Sequence, residues 1–251
     1  MKTLDTVKTI SLPQECLVDP LSATSRIYRL VPSDAAQPWI MELYDIAERT
    51  TPHYHKIKTQ TYMILEGRAK FLLGEAQEIL EAGQHLTIPP GLPHTVEPEG
   101  LIRLLVIDWP NLPHPEDYYP NIEEAPSFPL SRVCPFEDLT KLPSSCYQQR
   151  KEGDGYVAYE ICEDLHHTWS IAILDIKDAA PHFHKQETEH FIVLSGQLKI
   201  TLDDVEQTLD TGQSISIKPG CTHHLRSAGD EAVRLLCASF PAFDPSDFYP
   251  L

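Results

Sequence analysis

Apolar residues along this chain fall in short runs that end on Gly, Pro or Asp, and the three-to-four spacing of an amphipathic helix is nearly absent. In the first half these runs are "TYMILEG" (61–67), "AKFLLGE" (69–75) and "HLTIPPG" (85–91). In the second half "HFIVLSG" (190–196), "LKITLDD" (198–204) and "SISIKPG" (214–220) repeat them. Each is rich in β-branched and aromatic residues and closed by a turn former, so each reads as a strand. Several strands at such close spacing predict an all-β protein built of small antiparallel barrels or double-sheet jelly rolls, with alternate side chains pointing inward. A plain sandwich without a cavity fits the strand pattern equally well.

The repetition has a fixed register. His53 and His182 are 129 positions apart, as are Gly67 and Gly196, Gly83 and Gly212, Gly91 and Gly220, and His94 and His223. Further on, "RLLVIDWPNLPHPEDYYP" from Arg103 is echoed by "RLLCASFPAFDPSDFYP" from Arg234. A unit repeated this faithfully is one module present twice. The expected organisation is an N-terminal domain over 1–120, a connector over 121–146 carrying Pro126, Pro129, Pro135 and Pro143, and a C-terminal domain over 147–251.

Composition narrows the function classes. With 41% hydrophobic and 23% charged residues, the chain has the make-up of a globular protein. Its net charge of -17 opposes binding to nucleic acid or to an anionic lipid surface, both of which need clustered Lys and Arg. The amino-terminal stretch lacks the apolar core of a signal peptide and no segment has the length of a membrane span, so a cytoplasmic location is expected. Six cysteines, at 16, 134, 146, 162, 221 and 237, show no C-x-x-C spacing and are expected to be buried or idle thiols.

The candidate chemistry lies in the histidines. Side chains two apart on an extended segment share a face, so His53 with His55, and His182 with His184, converge on one spot. Imidazoles turned into an apolar interior are costly unless paired or bound to a cation. Glu189 follows at the start of the next strand and His223 comes after the turn "KPGCTH". Three imidazoles and one carboxylate suit Mn, Fe, Ni, Co or Zn and leave positions open for water or substrate. In the first copy His53, His55 and His94 recur, but Gln60 stands where the second has Glu189. That copy either holds metal through three histidines, adds the Gln60 carbonyl as a poor ligand, or is empty. Lys185, Lys56 and Lys218 are candidates to bind a phosphate and Glu187 or Tyr62 to lie near the mouth; of these, Lys185, Lys218 and Tyr62 are the catalytic candidates. His85, His114, His166, His167, His190 and His224 are expected on the surface or along strands, the last two turned out of the barrel.

The arrangement H-x-H-x4-E-x6-G (His182, His184, Glu189, Gly196), followed by Gly212, Gly220 and His223, resembles the two motifs of the cupin superfamily. His53, His55, Gln60, Gly67, Gly83, Pro89, Gly91 and His94 match the same motifs, so the whole chain resembles a bicupin. The endings "VLSG" and "FPAFDPSDFY" are similar to small cupins loosely described as mannose-6-phosphate isomerase-like. The resemblance implies two tandem double-stranded β-helix barrels, a divalent transition metal, a small-molecule substrate, and an assembly in which a homodimer is open. It leaves three functions standing. A metal-dependent dioxygenase acting on a small oxygenated metabolite is placed first, a sugar or sugar-phosphate isomerase or epimerase second, and a non-enzymatic ligand-binding bicupin third. A cavity closed by large side chains such as Phe183, Phe191 and Tyr54, with no general base near the metal, would favour the last.

Overall fold

The computed structural model describes residues 10–11, 17–20, 24–30, 40–110, 112, 117–125, 149–164, 167–211 and 213–251. Its strands in chain order are β1 (Ile10–Ser11), β2 (Leu17–Pro20), β3 (Arg26–Arg29), β4 (Ile40–Ile46), β5 (Thr59–Glu66), β6 (Arg68–Leu73), β7 (Ala76–Glu81), β8 (His85–Ile88), β9 (His94–Pro98) and β10 (Ile102–Trp109). The second series is β11 (Gln149–Gly153), β12 (Tyr156–Asp164), β13 (Ser170–Ile176), β14 (His182–Phe183), β15 (Thr188–Ser195), β16 (Gln197–Leu202), β17 (Val205–Asp210), β18 (Ser214–Ile217), β19 (His223–Ser227), β20 (Val233–Phe240) and β21 (Tyr249–Pro250). The protein is all-β, as the short apolar runs predict.

The chain divides into two compact units, Glu15–Pro143 and a second that combines Met1–Gln14 with Ser144–Leu251. In the first, a six-stranded sheet ordered β2-β3-β4-β10-β5-β8 packs on a three-stranded sheet β7-β6-β9. Ile64, Val106 and Tyr62 from the larger sheet and Phe71, Leu80 and Val96 from the smaller meet in one core. The second unit repeats the plan with a seven-stranded sheet containing β12-β13-β20-β15-β18 and a five-stranded sheet β17-β16-β19-β14-β21. Val193, Leu235 and Cys237 there face Leu198, Ile200 and Leu225. Alternation works as expected: residues 62 and 64, or 191 and 193, point between the sheets. Each unit is a closed jelly roll of two antiparallel sheets.

One strand departs from the linear division. β1 pairs with β12, Ile10 opposite Asp164 and Ser11 opposite Glu163, so residues within the range 1–120 belong to the C-terminal unit. Strand pairing is non-local, and two residues carry no pattern from which a partner more than 150 positions away could be read. A connector over 121–146 remains our proposal, because most of it lies outside the described residues. Of its start, Ile122–Glu124 form a 3-10 turn.

Positive-φ glycines sit at equivalent corners. Gly67 and Gly196, with φ of 85° and 84°, turn the chain from β5 into β6 and from β15 into β16. A Cβ on Gly67 would meet Ile102 Cγ2 at 2.9 Å, so both conformation and space require glycine.

Candidate metal centre

In the C-terminal unit, β14 and β19 carry His182 and His223 as direct cross-strand partners. His184 follows two residues after His182 on the same face, and Glu189 enters from β15. One ligand atom from each of His182, His184, Glu189 and His223 lies within 4.8 Å of the other three, and all four residues are buried. Gly220, at φ 82°, ties the two motifs together by donating its N–H to the carbonyl of His184 at 2.6 Å. Gly91 does the same to His55, again at 2.6 Å.

The ring orientations are set from behind. His182 Nδ1 donates to the Ala180 carbonyl at 2.8 Å, His184 Nδ1 to that of Asp247 at 2.9 Å, and His223 Nδ1 to that of Cys221 at 3.2 Å. A carbonyl only accepts, so each ring carries a proton on Nδ1 and, when neutral, turns the lone pair of Nε2 to the centre. Nε2 of His184 and His223 and Oε2 of Glu189 are buried without a hydrogen-bond partner among the described residues. His223 Nε2 nevertheless stands 3.0 Å from Glu189 Oε2, and His184 Nε2 3.6 Å from it. Acceptors facing one another this closely need a proton or a cation between them.

Electrostatics agree. Burial, reinforced by the charge of His223, lowers His182 to about 4. Burial works to raise Glu189, but contact with His223 and the charges of the other histidines outweigh it and hold that carboxyl below its usual range. Burial likewise works to lower His223, and Glu189 more than reverses it. Glu187 behaves oppositely: burial and the charge of Glu189 push it up to about 8. Its Oε2 lies 3.3 Å from His184 Nδ1. A donor set of three neutral imidazoles and one carboxylate, with orphaned lone pairs converging, suits a divalent transition ion.

The N-terminal unit builds the same histidine triad on a different surround. His53, His55 and His94 place ligand atoms within 4.8 Å of one another. Their Nδ1 protons go to the carbonyls of Thr51 at 2.8 Å, of Asp117, and of Leu92 at 3.0 Å. Burial lowers His53 to about 4 and takes His94 well below its ordinary value. Gln60 is committed elsewhere: its Nε2 donates to Asp108 Oδ1 at 2.8 Å and its Oε1 accepts from Tyr62 Oη at 3.0 Å. Lys58 Nζ pairs with Asp108 Oδ2 at 3.0 Å, both side chains almost fully buried.

Strand registers align the two interiors position by position. Arg29, Glu42 and Val106 correspond to Glu160, Ala172 and Cys237, and the pair Gln60 and Asp108 corresponds to Glu189 and Ser239. In the N-terminal unit all of these positions except Val106 carry polar side chains. Glu42 accepts from Arg29 Nε and from Tyr44 Oη, each at 2.9 Å, beside the Lys58, Asp108, Gln60 and Tyr62 network. In the C-terminal unit Ala172, Leu174 and Ser239 leave a cavity of 340 Å³ that reaches His182, His184 and Glu189.

The proposed catalytic side chains fall elsewhere. Lys185 is exposed with its Nζ 3.9 Å over the ring of Tyr249, and Lys56 repeats this over Tyr119. Lys218 is exposed on its turn, and neither Lys185 nor Lys218 lines the cavity. Tyr62 is buried inside the N-terminal unit instead of standing at a mouth, because position 62 shares the inward face of β5 with Ile64. His190 does turn away from the metal cluster, yet it is buried, its Nδ1 2.5 Å from Ser216 Oγ and its ring against Phe240. His224 is half-buried and meets Asp178 at 2.6 Å. His114 and His166 lie outside the described residues, as do Cys16, Cys134 and Cys146. Cys237 is buried as expected but not remote, with Sγ 3.9 Å from Glu189 Oε1. Phe183 and Tyr54 stack on Tyr249 and Tyr119, at 5.1 and 5.2 Å between centroids, and only Phe191 of the three aromatics lines the cavity.

Sequence reasoning missed Asp117 and Asp247, and Lys58 with Asp108. It also missed Tyr118 and Phe248, whose rings stack on His53 and His182 at 4.5 and 4.3 Å. The signal for four of these was the repeated tail, "EDYYP" against "SDFYP", in which the aspartate recurs as faithfully as the aromatics.

Fold and site together define a tandem jelly-roll protein with an inward histidine cluster in each barrel. The Cupin domain family matches residues 40–108 and 175–239, one stretch in each unit, and the chain belongs to that family as a bicupin. "Uncharacterized protein MJ1618" of Methanocaldococcus jannaschii is 29% identical over 66 residues, which are 26% of this chain and 53% of that protein. "Protein SchB" of Streptomyces halstedii is 36% identical over 55 residues, 22% of this chain and 40% of that protein. The matched stretches therefore span about half or less of either relative. Among solved structures, an oxalate decarboxylase variant from Bacillus subtilis aligns over 98% of this chain and 80% of its own, at 14% identity and a TM-score of 0.40. The same enzyme at pH 4.6 aligns over 98% and 79%, at 14% identity and a TM-score of 0.39. No helix among the described residues is long and apolar enough to cross a membrane.

Proposed function

We propose that the C-terminal barrel is the reaction centre of a metal-dependent oxidoreductase of dioxygenase type acting on a small oxygenated metabolite. The observation that carries this reading is the convergence of His182, His184, Glu189 and His223, the first three of which line a 340 Å³ cavity. A divalent ion there would polarise substrate oxygens and, as iron, would pass electrons from the bound substrate, which is the group oxidised, to dioxygen. The chain's own residues orient and shield. The three Nδ1 hydrogen bonds hold the imidazoles ready, Phe248 packs flat on His182, and Phe191 and Phe243 wall the cavity against water. The Glu187 carboxyl stands beside His184 as the group placed to hold a proton there.

The N-terminal barrel is read as a support. Its interior is occupied by the Arg29, Glu42 and Tyr44 chain, and its Gln60 amide is already bonded on both sides. A sugar-phosphate isomerase gains little support, since a phosphate would look to Lys185 or Lys218 and both are exposed outside the cavity. Elemental analysis of protein purified without added metal tests the proposal, followed by oxygen uptake of the Fe(II)-loaded form against a panel of small metabolites. Iron content with substrate-dependent oxygen uptake is expected. Turnover that proceeds anaerobically, or equally with Zn(II), would remove the dioxygenase reading in favour of isomerisation.

A further inference from the structure

The walls of the C-terminal cavity say what kind of molecule it takes. Its surface is mainly apolar, with Ala172, Leu174, Phe191, Leu225, Phe243 and Phe248 among the lining residues. Among the described residues, the charged side chains on it are Asp154, Glu160, Glu163 and Glu189 against one cation, Lys151. Lys151 is already in contact with Glu160, and its side chain is 44% exposed. The volume of 340 Å³ lies in the range of ordinary small-molecule sites.

These features weigh against anionic ligands. A divalent ion with Glu189 leaves about one positive charge, enough to neutralise one donor group of a ligand. A second carboxylate or a phosphate would be desolvated against phenylalanines and acidic side chains with, among the described residues, no free cation to meet it, a large cost. An apolar skeleton gains at each wall, on the order of 25 cal/mol per Å² buried. Four protein ligands clustered on one side of an ion that accepts six donors would leave room for two more, which two neighbouring oxygens of one ligand could supply. The N-terminal unit supplies the contrast: Glu42 and Asp108 stand where Ala172 and Ser239 open the space.

We propose that the C-terminal site takes an uncharged, largely apolar small molecule bearing two adjacent oxygen donors, and that it discriminates against dicarboxylates and phosphorylated sugars. The inference rests on the metal reading above and adds the substrate class to it. Calorimetry on the Zn(II)-loaded full chain tests it, with 4-methylcatechol as the neutral probe and oxalate and mannose 6-phosphate as the anionic ones. Binding of 4-methylcatechol is expected to be at least tenfold tighter than either anion. Ala172→Phe, which fills the cavity without touching a ligand, is expected to cost at least tenfold in catechol affinity and leave the zinc content unchanged. Since that variant requires a packed interior to adjust, the ranking on the unaltered protein stands by itself as the deciding measurement. A chain that takes up zinc yet binds oxalate or mannose 6-phosphate as tightly as 4-methylcatechol overturns this proposal alone. A chain whose zinc uptake is unaffected by His182→Ala overturns the metal reading instead.

Discussion

His184 hands its Nδ1 proton to the main-chain carbonyl of Asp247 at 2.9 Å, across 63 residues of sequence. The carboxylate of the same aspartate accepts the backbone N–H groups of Lys185, Gln186 and Glu187 at 3.0, 2.9 and 3.1 Å. Asp117 does this for Lys56, Ile57 and Lys58 at 2.9, 3.0 and 2.7 Å, while its carbonyl takes the proton of His55. In each barrel one aspartate thus holds both the loop after the histidine pair and the tautomer of its second member. Asp247→Asn removes the charge and at least one acceptor, and zinc affinity of the C-terminal site is expected to fall about 10- to 100-fold. Competition against a chelator measures this, and an affinity within twofold of the unaltered protein would show the aspartate to be dispensable.

Replacing His182 and His184 together by Ala leaves one imidazole and one carboxylate at the C-terminal site. Metal bound by that unit should be lost while the sheets persist, because β14 contributes only two residues to its sheet. Metal analysis and far-ultraviolet circular dichroism check the two halves separately.

Gln60→Glu by itself should not restore a four-ligand site in the N-terminal barrel. The new carboxylate would face Asp108, whose Oδ1 now accepts from the Gln60 amide at 2.8 Å. Two like charges in a buried pocket oppose each other, so one of them would be forced to take a proton. Combining Gln60→Glu with Asp108→Ser, the residue that the C-terminal barrel has there, should raise zinc occupancy above that of either single variant. Equal occupancy in all three would show that Asp108 does not control the site.

Both units carry a bidentate arginine–aspartate pair between equivalent strands. Arg103 meets Asp45 at 2.6 Å through both nitrogens, and Arg234 meets Asp175 at 2.5 Å. The first pair is more deeply buried, with side chains 6% and 9% exposed against 14% and 21%. Arg103→Ala strands a buried carboxylate and is expected to cost about 3–5 kcal/mol. Arg234→Ala should cost less, since water reaches its partner; equal losses in chemical denaturation would contradict the burial argument.

Metal-free protein should lose stability in mild acid. His53 and His182 have folded values of about 4, below the ordinary 6.5, because burial opposes their charged forms. Between these values the unfolded chain binds protons that the folded chain refuses, so stability is present above about pH 6.5 and falls as pH drops toward 4. Melting in the presence of a chelator should show this slope, and His182→Asn, which does not titrate, should flatten it. A slope unchanged by that substitution would place its origin elsewhere.

Much of this protein is written locally. Alternation within strands, the turn glycines and the fixed offset between His53 and His182 are short-range patterns, and they suffice for a duplicated β-fold with inward histidine pairs. Glu189 against Gln60 already announces that the two sites differ. What the sequence could not decide depends on residues far apart in the chain. Asp108 becomes the partner of Lys58 and Gln60 only because β10 pairs with β5, and β1 joins the other unit because its hydrogen-bonding edge lies there. Whether an interior is filled or open is decided by volumes that several strands contribute at once. Ala172, Leu174 and Ser239 look unremarkable in sequence, and their shared cavity exists only after β13 and β20 are laid side by side.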